Sequence, residues 1–242
     1  TTPNSAVNKI NLLTPLVSLG EEAPAPQLQV PIVAAAMQAV SGPRLAVTMA
    51  RLGGLACIFG SQGIEDQAAM VANVKSAPPE TDGALLDSMG ALFTAAALNT
   101  HDYEKRLPAL ADAGLDAAFL DSSDGHSFYQ GNALQWISKE FPKICLIGGN
   151  VITGSGFEYL VEHGAQAVKV GMGGGSICIT QEQKGTGRGL ATSVIDVAAA
   201  RDRHRKATGQ HVPIIADGGL GTARDVVIAL ALGADYVMMG RF

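Results

Sequence analysis

Cysteine is scarce in this chain. There are three, Cys57, Cys145 and Cys178, odd in number and far apart among 242 residues. Such spacing excludes a disulfide framework and a zinc cluster, and it fits a reducing compartment, so the expected setting is the cytoplasm. Charge is scarce too: 16% of residues, a net charge of −5 and no block of Lys or Arg. That leaves no electrostatic footprint for nucleic acid or an anionic membrane, and neither is an expected partner. No uninterrupted apolar run is long enough to cross a bilayer. The opening TTPNSAVNKINLLTPL lacks a basic stretch followed by a long apolar one, so no secretory leader is expected. No two of the five histidines (His101, His126, His163, His204, His211) stand at metal-site spacing.

Aliphatic residues and glycine are plentiful: 47% of the chain is hydrophobic and 29 residues are glycine. This is enough for one large catalytic domain spanning residues 1–242. One local pattern recurs. A helix-like stretch ends at a glycine and a continuous apolar run follows, in LAVTMARLGGLACIFG (45–60), LPALADAGLDAAFLD (107–121), FEYLVEHGAQAVKVG (157–171) and VVIALALGADYVMMG (226–240). Glycine just past a helix suits a left-handed cap. Runs that are apolar without alternation suit strands covered on both faces, as in a parallel sheet.

Eight such strands are predicted, at 31–37, 54–60, 91–98, 117–123, 145–152, 167–173, 213–219 and 236–241. Eight βα units point to an α/β protein with a (β/α)8 TIM barrel. A doubly wound sheet more often stops at five or six strands, and its glycines gather at one first turn rather than after several strands. Two places look incomplete. The polar, Pro-containing join SAPPETDGALLDSMG (76–90) has the character of a linker or of a removed insertion, and the chain stops at Phe242 with no eighth helix after the eighth strand.

Barrel active sites lie at the C-terminal ends of the strands. Read in order, those ends carry Asp121-Ser122-Ser123-Asp124-Gly125, then Gly148-Gly149-Asn150, then KVGMGGGSICIT (169–180), Asp217-Gly218-Gly219 and Gly240-Arg241. Glycines let the backbone approach a ligand closely and free N–H groups for phosphate oxygens. Cys57 and Cys145 sit inside apolar strands and read as small buried hydrophobes, whereas Cys178 has flexible, polar neighbours at the rim. His126, on a rim loop, is a further candidate, and the other four histidines read as solvated. A rim cysteine beside a phosphate site points to nucleophilic catalysis on a phosphorylated substrate.

GMGGGSICIT (171–180), KGTGRGLATSV (184–194), IIADGGLGTARDVVIALALGADYVMMG (214–240) and LDSSDGH (120–126) together resemble the IMP dehydrogenase / GMP reductase family, and within it the dehydrogenases. Reductases usually carry Tyr-Pro where this chain has Arg188-Gly189, and an Arg where it has Gln181. The resemblance implies oxidation of IMP to XMP with NAD, in guanine nucleotide biosynthesis, through a thioimidate on Cys178 with Thr180 beside the reacting carbon. It implies that Met37, Ser176, Asp217, Gly218, Gly219, Gly240 and Arg241 hold IMP. Asp121, Ser122, Ser123, Asn150, Gly171, Met172 and Gly173 would meet the nicotinamide half of NAD. It further implies a monovalent cation, potassium, on the carbonyls of Gly173, Gly175 and Cys178, and a homotetramer.

The departures are specific. Ala34-Ala35-Ala36-Met37-Gln38-Ala39 stands where many members have Ser-Ser-Pro-Met-Asp-Thr, and Gly240-Arg241 where many have Gly-Ser. The family's paired regulatory CBS domains would belong near 76–90, and its water-activating Arg-Tyr flap beyond Phe242. Within these 242 residues, hydride transfer is therefore better equipped than hydrolysis. The rivals are a GMP reductase using NADPH, another phosphate-binding barrel enzyme such as a flavoenzyme, and a non-catalytic barrel in which Cys178 is inert.

Overall fold

A computed structural model describes residues 10–19 and 25–240. Eight parallel strands close into a barrel in chain order: β3 (Ile32–Ala34), β4 (Leu55–Ile58), β5 (Ala95–Leu98), β6 (Ala117–Leu120), β7 (Cys145–Val151), β8 (Ala167–Val170), β9 (Ile214–Asp217) and β10 (Tyr236–Met239), with β10 pairing β3. All eight predicted strands are present. All eight are shorter than predicted, because residues at their ends leave the ladder, polar and glycine residues such as Ser122, Gly171 and Gly218 at the rim but also apolar ones such as Ala35 to Met37 and Ala91 to Phe93.

Helices α1 (Pro43–Arg51), α2 (Ile64–Ser76), α3 (Tyr103–Asp112), α4 (Phe128–Glu140) and α5 (Gly154–Glu162) each follow one strand. The β8–β9 connection carries two, the short α6 (Thr180–Lys184) and the long α7 (Leu190–Thr208), and α8 (Ala223–Ala231) precedes β10. Among the described residues no helix follows β10. The four glycines that end the recurring pattern, Gly53, Gly114, Gly164 and Gly233, all have positive φ, the left-handed cap that the pattern predicts. Three helix starts are fixed by side chains: Ser127 accepts from Gln130 N, Thr153 from Gly156 N, and Thr222 forms a capping box with Asp225.

The strands are buried on both faces, which explains their unalternating hydrophobicity. Along β6, Ala117 and Phe119 point into the barrel while Ala118 and Leu120 pack against the helices. The barrel floor is a feature that sequence patterning misses. A two-residue hairpin, β1 (Thr14–Pro15) with β2 (Gln27–Leu28), places Leu16, Val17 and Leu28 into the interior. The buried Tyr236 hydroxyl donates to Leu16 O at 2.7 Å, locking this plug to β10.

The join at 76–90 is ordered. Leu85 is buried with its N–H on Ala50 O, Leu86 bridges Leu92, and Lys75 pairs with Asp87 and Asp116. Three histidines depart from the solvated reading, among them the half-buried His163, whose Nδ1 lies 2.7 Å from Tyr159 O. His211 Nε2 lies 2.7 Å from Asp235 Oδ1, and the Nε2 of His204 is buried. Arg241 and Phe242 lie outside the described residues.

Candidate active site

The C-terminal ends of the strands open into two adjoining cavities of about 500 and about 300 Å³. These volumes fall in the range of about 300–1,000 Å³ usual for small-molecule and cofactor sites. The larger contains Asp121, Ser122, Ser123, Asn150, Gly171, Met172, Gly173, Cys178 and Thr180. The smaller contains Ser176, Gly219 and Gly240, and both share Met37, Asp217 and Gly218. Thus the structure gathers in one mouth every described residue that the resemblance implicates. His126 lines neither cavity; its ring packs against Tyr159 at 4.9 Å.

The glycines allow the rim loops to touch. Gly171 has φ +136, and a Cβ there would lie 2.0 Å from the carbonyl oxygen of Asp217. A Cβ on Gly218 would meet Gly175 N at 3.2 Å, and one on Gly219 would meet Gly174 O at 3.1 Å. The loops after β8 and β9 therefore pack backbone to backbone, and this contact forms the wall between the two cavities.

Cys178 follows that wall. Its side chain is exposed and its Sγ donates to Thr180 Oγ1 at 3.2 Å. The other two thiols are buried; burial pushes Cys145 up to about 12 and Cys57 higher still, so neither is a nucleophile. The cysteine loop is anchored on both sides. Gln181 Nε2 donates to Met172 O at 3.0 Å, and Lys184 Nζ donates to Ser123 Oγ at 2.6 Å, tying α6 to the loop after β6. Arg188 Nη1 donates to Ile152 O and to Asp196 Oδ2.

Asn150 is held from below. The buried Gln130 amide brackets Gly149, donating to its carbonyl at 2.7 Å and accepting its N–H at 2.8 Å. Asn150 N–H donates to Ser122 O, and Asn150 O accepts from Gly125 N–H, so the loops after β6 and β7 are stitched together. The Asn150 side chain then donates from Nδ2 to Asp217 Oδ2 at 2.8 Å, while its Oδ1 is buried without a partner among the described residues.

Sequence reasoning missed the charge beneath these groups. Lys169 sits at an inward position of β8, buried, with Nζ 2.6 Å from Asp121 Oδ1 and 3.8 Å from Asp217 Oδ2. Burial works against the ammonium, but Asp121 and Asp217 outweigh it and hold Lys169 above the usual lysine range. In turn Lys169 holds Asp121 below the usual carboxylate range, against the opposing effect of burial. The available signal was a lone charge in the apolar run AVKVG (167–171), at the same parity as the inward Ala167.

For a monovalent cation the fit is partial. Cys178 N–H donates to Gly175 O at 3.0 Å, which curls the loop and brings the Gly175 and Cys178 peptides into one turn, while Gly175 O keeps one lone pair.

Residues 6–242 match the IMP dehydrogenase / GMP reductase domain family. The chain is 32% identical to the inosine-5′-monophosphate dehydrogenase of Tritrichomonas foetus, over 97% of this chain and 71% of the relative. That alignment runs to 356 positions, longer than the chain, so the relative carries residues that this chain lacks. The enzymes of the same name from Trypanosoma brucei brucei and Schizosaccharomyces pombe are 43% and 45% identical over 64% and 62% of this chain. The matched part spans under a third of each of those two relatives, 29% and 28%.

Proposed function

The chain belongs to the IMP dehydrogenase / GMP reductase domain family, and from that premise we propose that it oxidises IMP to XMP with NAD, in guanine nucleotide synthesis. One observation carries the reading: an exposed cysteine on a glycine loop shares a cavity with two carboxylates and an asparagine amide, while the chain's other two thiols are buried. Cys178 Sγ, as thiolate, adds to C2 of the hypoxanthine ring. A hydride leaves C2 for the nicotinamide, which serves as the two-electron acceptor, and C2 becomes a thioimidate. Water then adds to C2 and the thiolate leaves, giving XMP, with one proton released over the cycle.

Thr180, in contact with the thiol, lies beside the reacting carbon. Asp217 accepts from the ribose hydroxyls of IMP. Ser176, Gly218, Gly219, Gly240 and Arg241 hold its phosphate, and Met37 lies under the base. On the other side of the wall, Asp121, Ser122, Ser123, Asn150 and Gly171 to Gly173 receive the nicotinamide half of NAD. The carbonyls of Gly173, Gly175 and Cys178 would hold potassium, whose charge would favour the curled form of the cysteine loop. The protein acts in the cytoplasm as a homotetramer, with residues 1–242 forming the catalytic domain and 76–90 the place of a removed insertion.

The test is NADH formation from IMP by the wild type and by Cys178→Ala. The variant should lose turnover by several orders of magnitude yet still bind IMP. Near-normal turnover would end the covalent mechanism. Turnover of GMP with NADPH instead would make the protein a reductase.

A further inference from the structure

Asp121 lines only the larger cavity, on the proposed dinucleotide side, whereas Asp217 lines both cavities and is the proposed grip on the nucleotide. Neither is independent of the other. The buried Lys169 ammonium lies between them, 2.6 Å from Asp121 Oδ1 and 3.8 Å from Asp217 Oδ2. Asn150 Nδ2 donates to that same Asp217 Oδ2. Each carboxylate therefore turns one oxygen toward the lysine. The other oxygens, Asp121 Oδ2 and Asp217 Oδ1, have no partner among the described residues, and both side chains line the larger cavity. The third group facing the lysine is the Cys57 thiol on β4, which burial keeps neutral.

We infer that Lys169 is a positioning residue shared by both subsites, fixing the Asp121 and Asp217 carboxylates as one unit so that IMP and NAD are gripped through a common charge. The inference rests on the function proposed above. The other inward residues of these strands, such as Ala167, Ile215, Phe119 and Met238, are apolar, so the rest of the barrel interior packs without charge and the lysine stands out where the two rim carboxylates meet. Lys169 touches neither the thiol nor Thr180, so its effect on the reaction passes through the two aspartates.

Two consequences are specific. Lys169→Met leaves two carboxylates on one cavity without their shared counter-charge. Affinity for IMP and the KM for NAD should each worsen by about ten- to hundredfold, while iodoacetamide labels Cys178 at the wild-type rate. Lys169→Arg should recover most of the loss. Asp121→Asn acts at a distance. It removes the charge of the ammonium's 2.6 Å partner and leaves at most a neutral amide oxygen, so the ammonium shifts toward Asp217, 3.8 Å away, and draws that carboxylate inward. IMP, titrated with no dinucleotide present, should then bind roughly fivefold more weakly, although Asp121 lies outside the IMP subsite.

The experiment is calorimetric titration of IMP into the wild type and the three variants, with NAD kinetics and thiol labelling alongside. If Lys169→Met does not fold, Asp121→Asn decides, because that side chain sits half-exposed at the rim. A wild type that fails to bind IMP overturns the proposed function and this inference with it. A wild type that binds IMP, with Asp121→Asn within twofold of it, overturns the inference alone. So does a folded Lys169→Met of unchanged affinity, or one that Lys169→Arg fails to rescue.

Discussion

Replacing Gly171 by alanine should damage stability and catalysis together, and the structure says by how much. Gly171 sits at φ +136, where a side chain is strained, and its new Cβ would lie 2.0 Å from the Asp217 carbonyl oxygen. Ordinary contact begins near 3.4 Å, so β8 and β9 must part by roughly the difference, about 1.4 Å. The obstacle is backbone, which cannot swing aside as a flexible side chain would. Strained φ costs about 1–3 kcal/mol and overpacking about 1–3 more, so a loss of about 2–5 kcal/mol is expected. The residue pushed away is Asp217, the proposed ribose acceptor. A misplacement of about 1 Å at a reacting site costs on the order of 100-fold in rate, and IMP-dependent NADH formation should fall by at least that. Chemical denaturation and steady-state kinetics measure the two effects. Gly83→Ala is the control, since a Cβ there meets nothing within 4 Å, and it should stay within about 0.5 kcal/mol of the wild type. A Gly171→Ala protein as stable and as active as the wild type would refute the account of the loop contact.

Asp217→Ala should weaken IMP binding about ten- to hundredfold with little change in melting temperature, since hydrogen bonds to charged groups are worth about 1.5–3 kcal/mol; unchanged affinity by calorimetry would remove Asp217 from the site. Asp235 should govern part of the acid unfolding. Burial raises its pKa, but the bond to His211 and the charge of Arg201 outweigh this and leave it lowered, so its stabilisation is present above the ordinary carboxylate value of about 4 and is lost as pH falls below it. Asp235→Asn should flatten the stability curve below about pH 4, and curves that stay parallel would contradict the sign. Potassium chloride should accelerate turnover relative to choline chloride at fixed ionic strength, and lithium should not replace it. Equal rates in the three salts would dismiss the cation.

What could be read in advance was local. A cap glycine such as Gly114 announces itself beside the helix it ends, and a strand covered on both faces announces itself by unbroken hydrophobicity, so the eight strands and their order were legible. What escaped depends on partners far along the chain. The floor hairpin has strands of two residues, too short to show a period, and it is held by Tyr236, 220 residues from Leu16. Gln130 supports a peptide 19 residues away, and Lys169 pairs with a carboxylate 48 residues away. In the sequence Lys169 is one charge in an apolar strand, and only barrel closure shows that its parity points inward. The glycine run before Cys178 was legible as a site for a different reason than the one the geometry supplies. In sequence, consecutive glycines signal flexibility and free N–H groups. In the fold, Gly171 lies against the backbone of Asp217 and Gly174 against Gly218 and Gly219, so these residues are small because two loops must touch. The consequence is mechanical. A side chain at Gly171 or Gly218 would part the loops that carry Cys178 and Asp217, the proposed nucleophile and the proposed ribose acceptor. The same contact that walls off the two cavities therefore also sets the distance between the chemistry and the grip on its substrate.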